Sequence, residues 1–175
     1  HEEILAAVAA EPADLHDVRV CPEVRLLVTR LELPEETRLL RDVPMQGWRR
    51  EMTWPALGRA WVPTSPNLPR WEGVQVYPGQ VLLEGTQLSE GRGTTTPFEI
   101  FGAPWLDPDA LLRALEAHDL PGVVFRPLRF EPTFHKFAGQ SCGGLFVHAT
   151  DHRRFAPYRT TLAVLAEVRK LWPQH

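Results

Sequence analysis

The sequence predicts an α+β domain, in which a mixed sheet is flanked by helices and by long loops rich in proline and tryptophan. Helical periodicity appears near both ends and again after residue 107, and short β-prone runs lie between these segments without regular alternation. The 17 prolines and 6 tryptophans among 175 residues indicate many fixed turns and ordered loops. A chain of this length can bury a core of its own.

Residues 1–42 are predicted to form a helix followed by strands. Ile4, Leu5 and Val8 share one helical face, and Pro12 ends that run. The predicted strands span residues 17–20 and 25–31, with a weaker strand at residues 39–45.

Regular periodicity fails between residues 46 and 78, where the prediction is an ordered loop that wraps the domain. The segment is too apolar for a disordered linker, because it contains four tryptophans, namely Trp48, Trp54, Trp61 and Trp71. Short strands are predicted at residues 74–77 and 81–83, on either side of a turn at Pro78-Gly79.

The second half of the chain contains the clearest helix prediction, which starts at Asp107. Asp107 suits the N-cap and Pro108 suits the first turn, and an apolar stripe follows at Leu111, Leu112 and Leu115. Further strands are predicted at residues 123–130 and 144–150, and a final helix at about residues 157–172.

Composition and charge exclude several classes of partner. A formal net charge of -3 argues against nucleic acid, and no run reaches the roughly 20 apolar residues of a membrane-spanning helix. The acidic start shows no signal peptide, so the compartment stays open.

The sequence indicates no cofactor and no metal. His148 and His152 are four residues apart at a strand end, where that spacing spans about 13 Å, too far for one zinc ion. The run Gly91-x-Gly93 lacks the third glycine of a dinucleotide site. Cys21 and Cys142 are interpreted as two free buried thiols, with a disulfide as the alternative.

The run from residue 83 to residue 99, LEGTQLSEGRGTTTPFE, is predicted to be the functional centre. Its short and planar polar side chains suit sugar hydroxyls, which both donate and accept hydrogen bonds. Its glycines, Gly85, Gly91 and Gly93, would let the backbone approach a ligand closely. The alternative is a solvated loop with ordinary turns.

Carboxylates in this run raise the possibility of glycoside cleavage, which generally needs one protonated and one ionised carboxyl group. Glu90 lies beside Arg92 and is expected to stay ionised, whereas Glu84 follows an apolar run and is the candidate for the protonated group. Glu84 could equally be a structural carboxylate. Of the loop tryptophans, Trp105 is the candidate for stacking on a sugar, and the others are expected to fill the core.

Several runs match one known family in order and spacing. They are VPMQGWRREMTW (43–54), WVPTSPNLP (61–69), LLEGTQLSEGRGTTTPFEIFGAPWLDP (82–108) and LPGVVFRPLRFEPTFHKFAGQSCGG (120–144). Together they resemble the exo-β-N-acetylmuramidases, glycoside hydrolases that trim N-acetylmuramic acid from peptidoglycan fragments and were long catalogued as a domain of unknown function. The run at 82–108 is long and specific.

The resemblance implies a two-part architecture, with a Rossmann-like N-terminal domain, a smaller C-terminal domain and an active site in the cleft between them. Residues 43–175 are similar to the C-terminal domain, and residues 1–42 form a divergent segment, expected to belong to the same domain. The upstream domain is expected to be absent here, together with at least one catalytic carboxylate.

The resemblance also implies site residues. Glu84 and Glu90 become the candidates for acid, base or stabiliser, and the substrate-binding candidates are Ser89, Arg92, Thr94, Thr95, Trp105 and Lys136. Arg92 and Lys136 are expected to meet the lactyl carboxylate of the substrate. This chain departs from the family pattern at two positions that bear on recognition of this carboxylate. The family tends to carry arginine where this chain has Thr96, and a carboxylate where it has Gln140.

The leading hypothesis is therefore an exo-acting glycosidase of muramyl fragments, or the part of one that closes over the sugar. A saccharide-binding or accessory domain without catalysis is the alternative, and a purely structural or interaction domain is a third interpretation.

Overall fold

The computed structural model describes residues 46–47 and 49–175. Within this part, residues 54–175 form one compact unit, and residues 49–52 close a turn in which Met52 N donates to Arg49 O. The predicted helix and strands before residue 46, Cys21 and Trp48 lie outside the described residues. The division of the chain at residue 43 stays a prediction.

Three strands form one antiparallel sheet in the described part of the chain. They are β1 (Ile100–Ala103), β2 (Val123–Phe130) and β3 (Cys142–Ala149). β3 is the central strand. It pairs with β1 on one side, where Ile100 lies opposite Phe146, and with β2 on the other, where Val123 lies opposite Ala149. The α+β class is confirmed, although these strands pair only antiparallel where a mixed sheet was expected.

Three α-helices of the described residues accompany the sheet, namely α1 (Trp71–Gln80), α2 (Pro108–Leu115) and α3 (Pro157–Leu171). α1 packs on α3 and β3, and α2 packs on α3 and on both long strands. A single cluster of buried apolar side chains, including Phe98, Phe101 and Leu145, fills the space between these elements. Burial of this apolar surface provides the main stabilisation of the unit.

The start of α2 confirms the predicted N-cap. Asp107 Oδ1 accepts hydrogen bonds from the backbone N–H groups of Asp109 at 3.0 Å and Ala110 at 3.2 Å. This satisfies two donors that a helix N-terminus otherwise leaves without partners. The strand at 123–130 and the final helix are confirmed as well.

The predicted strands at residues 74–77 and 81–83 are wrong. Residues 74–77 lie within α1, and a 3-10 helix (Val81–Gly85) follows directly. Short apolar runs fit a helix and a strand equally well, so periodicity did not separate them. Pro78-Gly79 is not a turn, because both residues lie inside α1. Gly79 packs so closely against Pro157 and Thr161 of α3 that a Cβ atom would collide.

The predicted loop is irregular up to residue 70 and is packed around tryptophan rings. A short 3-10 helix (Trp54–Leu57) lies within it, and its residues from 71 on belong to α1. Trp61 packs edge to face against Trp54, with 5.4 Å between ring centroids, and against Trp71, with 5.9 Å. These three rings are half-buried and pack on one another, and they are not part of the hydrophobic core that the sequence predicted them to fill.

Candidate active site

The functional run begins within the 3-10 helix that ends at Gly85, and side-chain hydrogen bonds fix its path beyond that point. Thr86 Oγ1 donates to Leu83 O at 2.8 Å and accepts from Leu88 N at 3.1 Å. Ser89 then pairs with Gly102 of β1 through two backbone hydrogen bonds. The sheet therefore determines where the next residue, Glu90, points.

The glycines of this run let the chain pack against itself. Gly91 and Gly93 have φ values of +78° and +82°, a region that side chains rarely adopt. A Cβ atom on Gly91 would meet Ile100, and one on Gly93 would meet the backbone of Phe134. Close approach to a ligand, which the sequence suggested, is open only at Gly85, where nothing lies within 4 Å.

Glu90 is the centre of a charged cluster. Its side chain has no exposed surface, and three cationic or titratable groups surround its carboxylate. Oε1 lies 3.0 Å from Arg92 Nε and 3.4 Å from His135 Nδ1, and Oε2 lies 3.3 Å from Lys136 Nζ. None of these contacts has hydrogen-bond geometry, so both oxygens are buried without a hydrogen-bond partner. A buried anion of this kind depends on the charges around it.

The hydrogen bonds of Lys136 explain why its ammonium group does not bond to the Glu90 carboxylate. Its ammonium group donates to three backbone carbonyls, those of Leu83 at 2.9 Å, Glu84 at 3.1 Å and Leu88 at 2.9 Å. A lysine has three N–H donors, so none is left for the Glu90 carboxylate. Lys136 therefore ties together the backbone before Glu90 and supplies charge to it.

Arg92 joins the two carboxylates that the sequence singled out. Its Nη2 donates to Glu84 Oε1 at 2.5 Å, while its Nε faces Glu90. The guanidinium also lies over the Phe98 ring, 5.3 Å from the centroid. The hydrogen bond to Glu84 is the main reason why the pKa of Arg92 is raised.

The environments of the two glutamates are the reverse of the expected ones. Glu84 was expected beside apolar residues, but 39% of its side chain is exposed. Glu90 is the buried carboxylate. The apolar residues before Glu84 turn into the core within the 3-10 helix, where Leu83 is fully buried, and this leaves Glu84 at the surface.

His135 is a site residue that sequence reasoning missed. It has φ +70°, and Phe137 at +58° and Phe98 at +65° are also in the left-handed region. Non-glycine residues in this region cost about 1–3 kcal/mol each and cluster at functional sites. The signal that could have found His135 is its place beside Lys136 in the run PTFHKFAG.

The remaining candidates shape a turn, lie at the surface or belong to a separate cavity. Ser89 Oγ accepts from Gly91 N at 3.2 Å, and Thr94 Oγ1 donates to Gly91 O at 2.6 Å, so both hydroxyls shape the turn. Thr95 is exposed. Trp105 is part of a separate cavity of about 190 Å³, where its ring stacks on His175 at 4.2 Å between centroids.

Glu99 is a second buried carboxylate in the run. It is 1% exposed; Arg70 Nη2 lies 3.4 Å from its Oε2, and its Oε1 has no hydrogen-bond partner. Burial raises the pKa of Glu99, while Arg70 acts in the opposite direction.

The raised pKa of Glu99 predicts a pH-dependent stability. The folded chain holds this proton more tightly than the unfolded chain, in which a glutamate titrates at about pH 4.3. Stability is therefore lost as pH rises from there through the folded-state pKa. We expect urea denaturation to show that Glu99→Gln gains stability relative to the parent as the pH rises above about 4.3. Exposed Glu116→Gln is the control, and a difference between Glu99→Gln and the parent that stays constant with pH would contradict the prediction.

Two further chemistry-bearing side chains, Cys142 and His148, form no ion pair with the charged cluster. Cys142 is free and buried, as expected, and burial raises the pKa of its thiol. His148 stacks on Phe146, and its pKa is lowered chiefly by burial. Among the described residues no group of three potential ligands could hold a metal ion, and no helix there is long and apolar enough to cross a membrane.

Comparisons with known proteins agree on one family. The family model "Exo-beta-N-acetylmuramidase NamZ, C-terminal" matches residues 75–175. Peptidoglycan beta-N-acetylmuramidase NamZ of Bacillus subtilis (strain 168) is 42% identical over 135 residues, which make up 77% of this chain and 33% of that protein. The crystal structure of a DUF1343 family protein from Bacteroides fragilis NCTC 9343 matches with a TM-score of 0.74 and 30% identity, over 87% of this chain and 40% of that one.

The chain thus spans about a third of the curated relative. Its match to the family model contains the whole functional run from Leu83 to Glu99 and also His135 and Lys136. The chain belongs to the family described by the C-terminal domain of the exo-β-N-acetylmuramidase NamZ.

Proposed function

We propose that this chain supplies one side of a glycosidase site that removes N-acetylmuramic acid from the non-reducing end of peptidoglycan fragments. The observation that carries the proposal is the Glu90 cluster, a fully buried carboxylate ringed by Arg92, His135 and Lys136. The name of the Bacillus subtilis relative, a peptidoglycan beta-N-acetylmuramidase, supports the substrate class.

The cluster suits an anionic sugar. Two glutamates, one arginine and one lysine balance each other in charge when His135 is neutral, and protonation of His135 would make the cluster cationic. Arg92 donates one of its five N–H groups to Glu84, and its Nε faces Glu90, which leaves donors for the lactyl carboxylate. Lys136 has no free donor, so it supports the site by charge and does not meet the substrate by hydrogen bonding.

Burial assigns different roles to the groups. Glu84, Arg92 and His135 have exposed surface and can touch a sugar. Lys136 is also partly exposed, but its three donors are already bonded to backbone carbonyls. Glu90 has no exposed surface, so in our proposal it positions Arg92 and His135, much as a buried carboxylate orients the histidine of a catalytic triad. With Nδ1 facing Glu90, His135 is left with Nε2 for the substrate.

Glu84 is the proposed catalytic carboxylate of this chain. Glycoside cleavage needs a second carboxyl group, and we propose that the part of the protein upstream of this chain provides it, from a Rossmann-like domain. The length of the relative that this chain leaves unmatched supports such a partner.

Release of a chromogenic aglycone from an aryl β-N-acetylmuraminide tests this function. We expect Glu84→Gln to lower kcat by about 10²-fold or more, with the melting temperature kept, because the side chain is partly exposed. If the chain alone releases nothing, the remaining two thirds of the Bacillus subtilis relative can be added as a separate chain.

Two outcomes would count against the proposal. One is equal release by the parent and Glu84→Gln. The other is no release even with the added chain. If muramyl saccharides still bind in that second case, the alternative of a non-catalytic saccharide-binding domain is correct.

A further inference from the structure

Trp105 is a half-buried ring that lines a cavity of about 190 Å³. Residues 86–88 of the functional run line the same cavity, and Leu165 and Val168 of α3 complete its apolar wall. The ring also packs against the hydrophobic core. Trp105 therefore belongs both to the core and to the surroundings of the segment that follows Glu84.

The turn after α3 places further rings on Trp105. Trp172 N donates to Val168 O at 2.8 Å and His175 N donates to Trp172 O at 3.1 Å, so the backbone doubles back after the helix. The His175 ring stacks on Trp105, with 4.2 Å between centroids and 7° between the ring planes. Trp172 packs on the same indole at 5.8 Å. We call Trp105, Trp172 and His175 the aromatic clamp.

The aromatic clamp borders the functional run at Gln87. His175 Nδ1 lies 3.4 Å from Gln87 Oε1, and Thr86 and Leu88 line the cavity on either side of this contact in the sequence. Leu88 is itself a core residue with 2% of its surface exposed. The clamp therefore packs along the whole of residues 86–88.

Residues 86–88 in turn determine where the backbone of Glu84 lies. Lys136 Nζ bridges the carbonyls of Glu84 and Leu88, at 3.1 Å and 2.9 Å. Gly85 adds no support, because an added Cβ atom there would meet nothing within 4 Å among the described residues. A glycine without neighbours leaves the backbone free to move, so the position of Glu84 depends on how firmly Leu88 is held.

We propose that Trp105 and His175 are positioning residues for Glu84. They hold residues 86–88 against the core, and Lys136 passes this constraint to the Glu84 backbone. This inference rests on the proposed function, in which Glu84 is the catalytic carboxylate of this chain.

Amide hydrogen exchange of this chain, followed by NMR, tests the clamp without a substrate. In the parent, Thr86 N donates to Leu83 O at 3.0 Å and Leu88 N donates to Thr86 Oγ1 at 3.1 Å, so both amides are protected. We expect Trp105→Ala to raise both exchange rates about three- to tenfold, the range for loss of one aromatic pair. Amides in the β2–β3 pairing should exchange as in the parent.

Matched variants separate the clamp from general loss of packing. Trp105→Phe keeps a ring and should restore most of the protection. His175→Ala removes an exposed side chain and should reproduce the faster exchange even if Trp105→Ala does not fold. Trp61→Ala is the control, because Trp61 is also half-buried against two rings but lies outside the lining of this cavity. Its exchange rates at Thr86 and Leu88 should equal those of the parent.

Kinetics in the complete site distinguish positioning from a purely structural role. We expect His175→Ala to lower kcat about three- to tenfold while KM stays the same, because the groups proposed to bind the sugar, Arg92 and His135, are outside the clamp. Trp105→Ala should lower kcat in the same way, and Trp105→Phe should recover it.

Three outcomes would overturn the proposal. They are unchanged exchange at Thr86 and Leu88 in both alanine variants, exchange that rises equally throughout the β2–β3 pairing, and faster exchange at residues 86–88 with kcat at the parent value. Failure of the proposed function is distinguishable, because the parent would then release no aglycone even with the added chain, while the exchange rates would still decide whether the clamp holds residues 86–88.

Discussion

Glu90→Gln is expected to lower the free energy of unfolding by about 3 kcal/mol, with loss of activity in the complete site. The variant keeps the shape of the side chain and removes the only buried charge that Arg92, His135 and Lys136 share. Breaking a buried ion pair costs about 3–5 kcal/mol, and we take the lower end because the cations are partly exposed.

Glu84→Gln is the matched control for Glu90→Gln. It removes a carboxylate that pairs with the same arginine at the surface, so its cost in stability should stay under about 1 kcal/mol. Urea denaturation measures both variants. If the two variants were equally stable, that result would contradict the position of Glu90 at the centre of the charged cluster.

Lys136→Met is expected to cost about 3–5 kcal/mol. It leaves the carbonyls of Leu83, Glu84 and Leu88 without their donor, and it removes a charge 3.3 Å from Glu90. Thermal and urea denaturation check this result. Because the carbonyls belong to the backbone before Glu90, the loss should also disorder the site.

Two further variants make the Lys136 prediction specific. Lys170→Met removes a lysine whose side chain is 67% exposed and which pairs with Glu167 alone, so it should cost under about 1 kcal/mol. Lys136→Arg keeps the charge, but a planar guanidinium does not direct three donors from one atom, so rescue should be partial. A Lys136→Met protein as stable as its parent would rule out this role.

The strongest local patterns predicted their elements well. Asp107 with the leucine stripe behind it predicted α2, and alternation predicted the strand at 123–130. The strand β1 was not predicted, because its four residues become a strand only by pairing with β3. α1 was not predicted, because Gly79 was interpreted as a turn residue. A glycine stands at this position because the helix packs closely against Pro157.

The sequence predicted that most of the candidate residues lie in one run, but it did not predict which of them is buried. The run from Leu83 to Glu99 contains Glu84, Glu90 and Arg92, and the structure brings these three together. Which of the two glutamates is buried could not be predicted, since burial depends on the direction of the backbone around Ser89. His135 was missed because its positive φ is not visible in the sequence, although its place beside Lys136 could have pointed to it.

Titration of this chain with methyl β-N-acetylmuraminide, followed by NMR, tests most directly whether the Glu90 cluster receives the muramyl sugar, because binding does not require the second carboxylate. We expect shifts at the amides of Glu84, Arg92 and His135, and their loss in Arg92→Met. An absence of shifts at these residues, or shifts that persist unchanged in Arg92→Met, would contradict the claim that the Glu90 cluster receives the muramyl sugar.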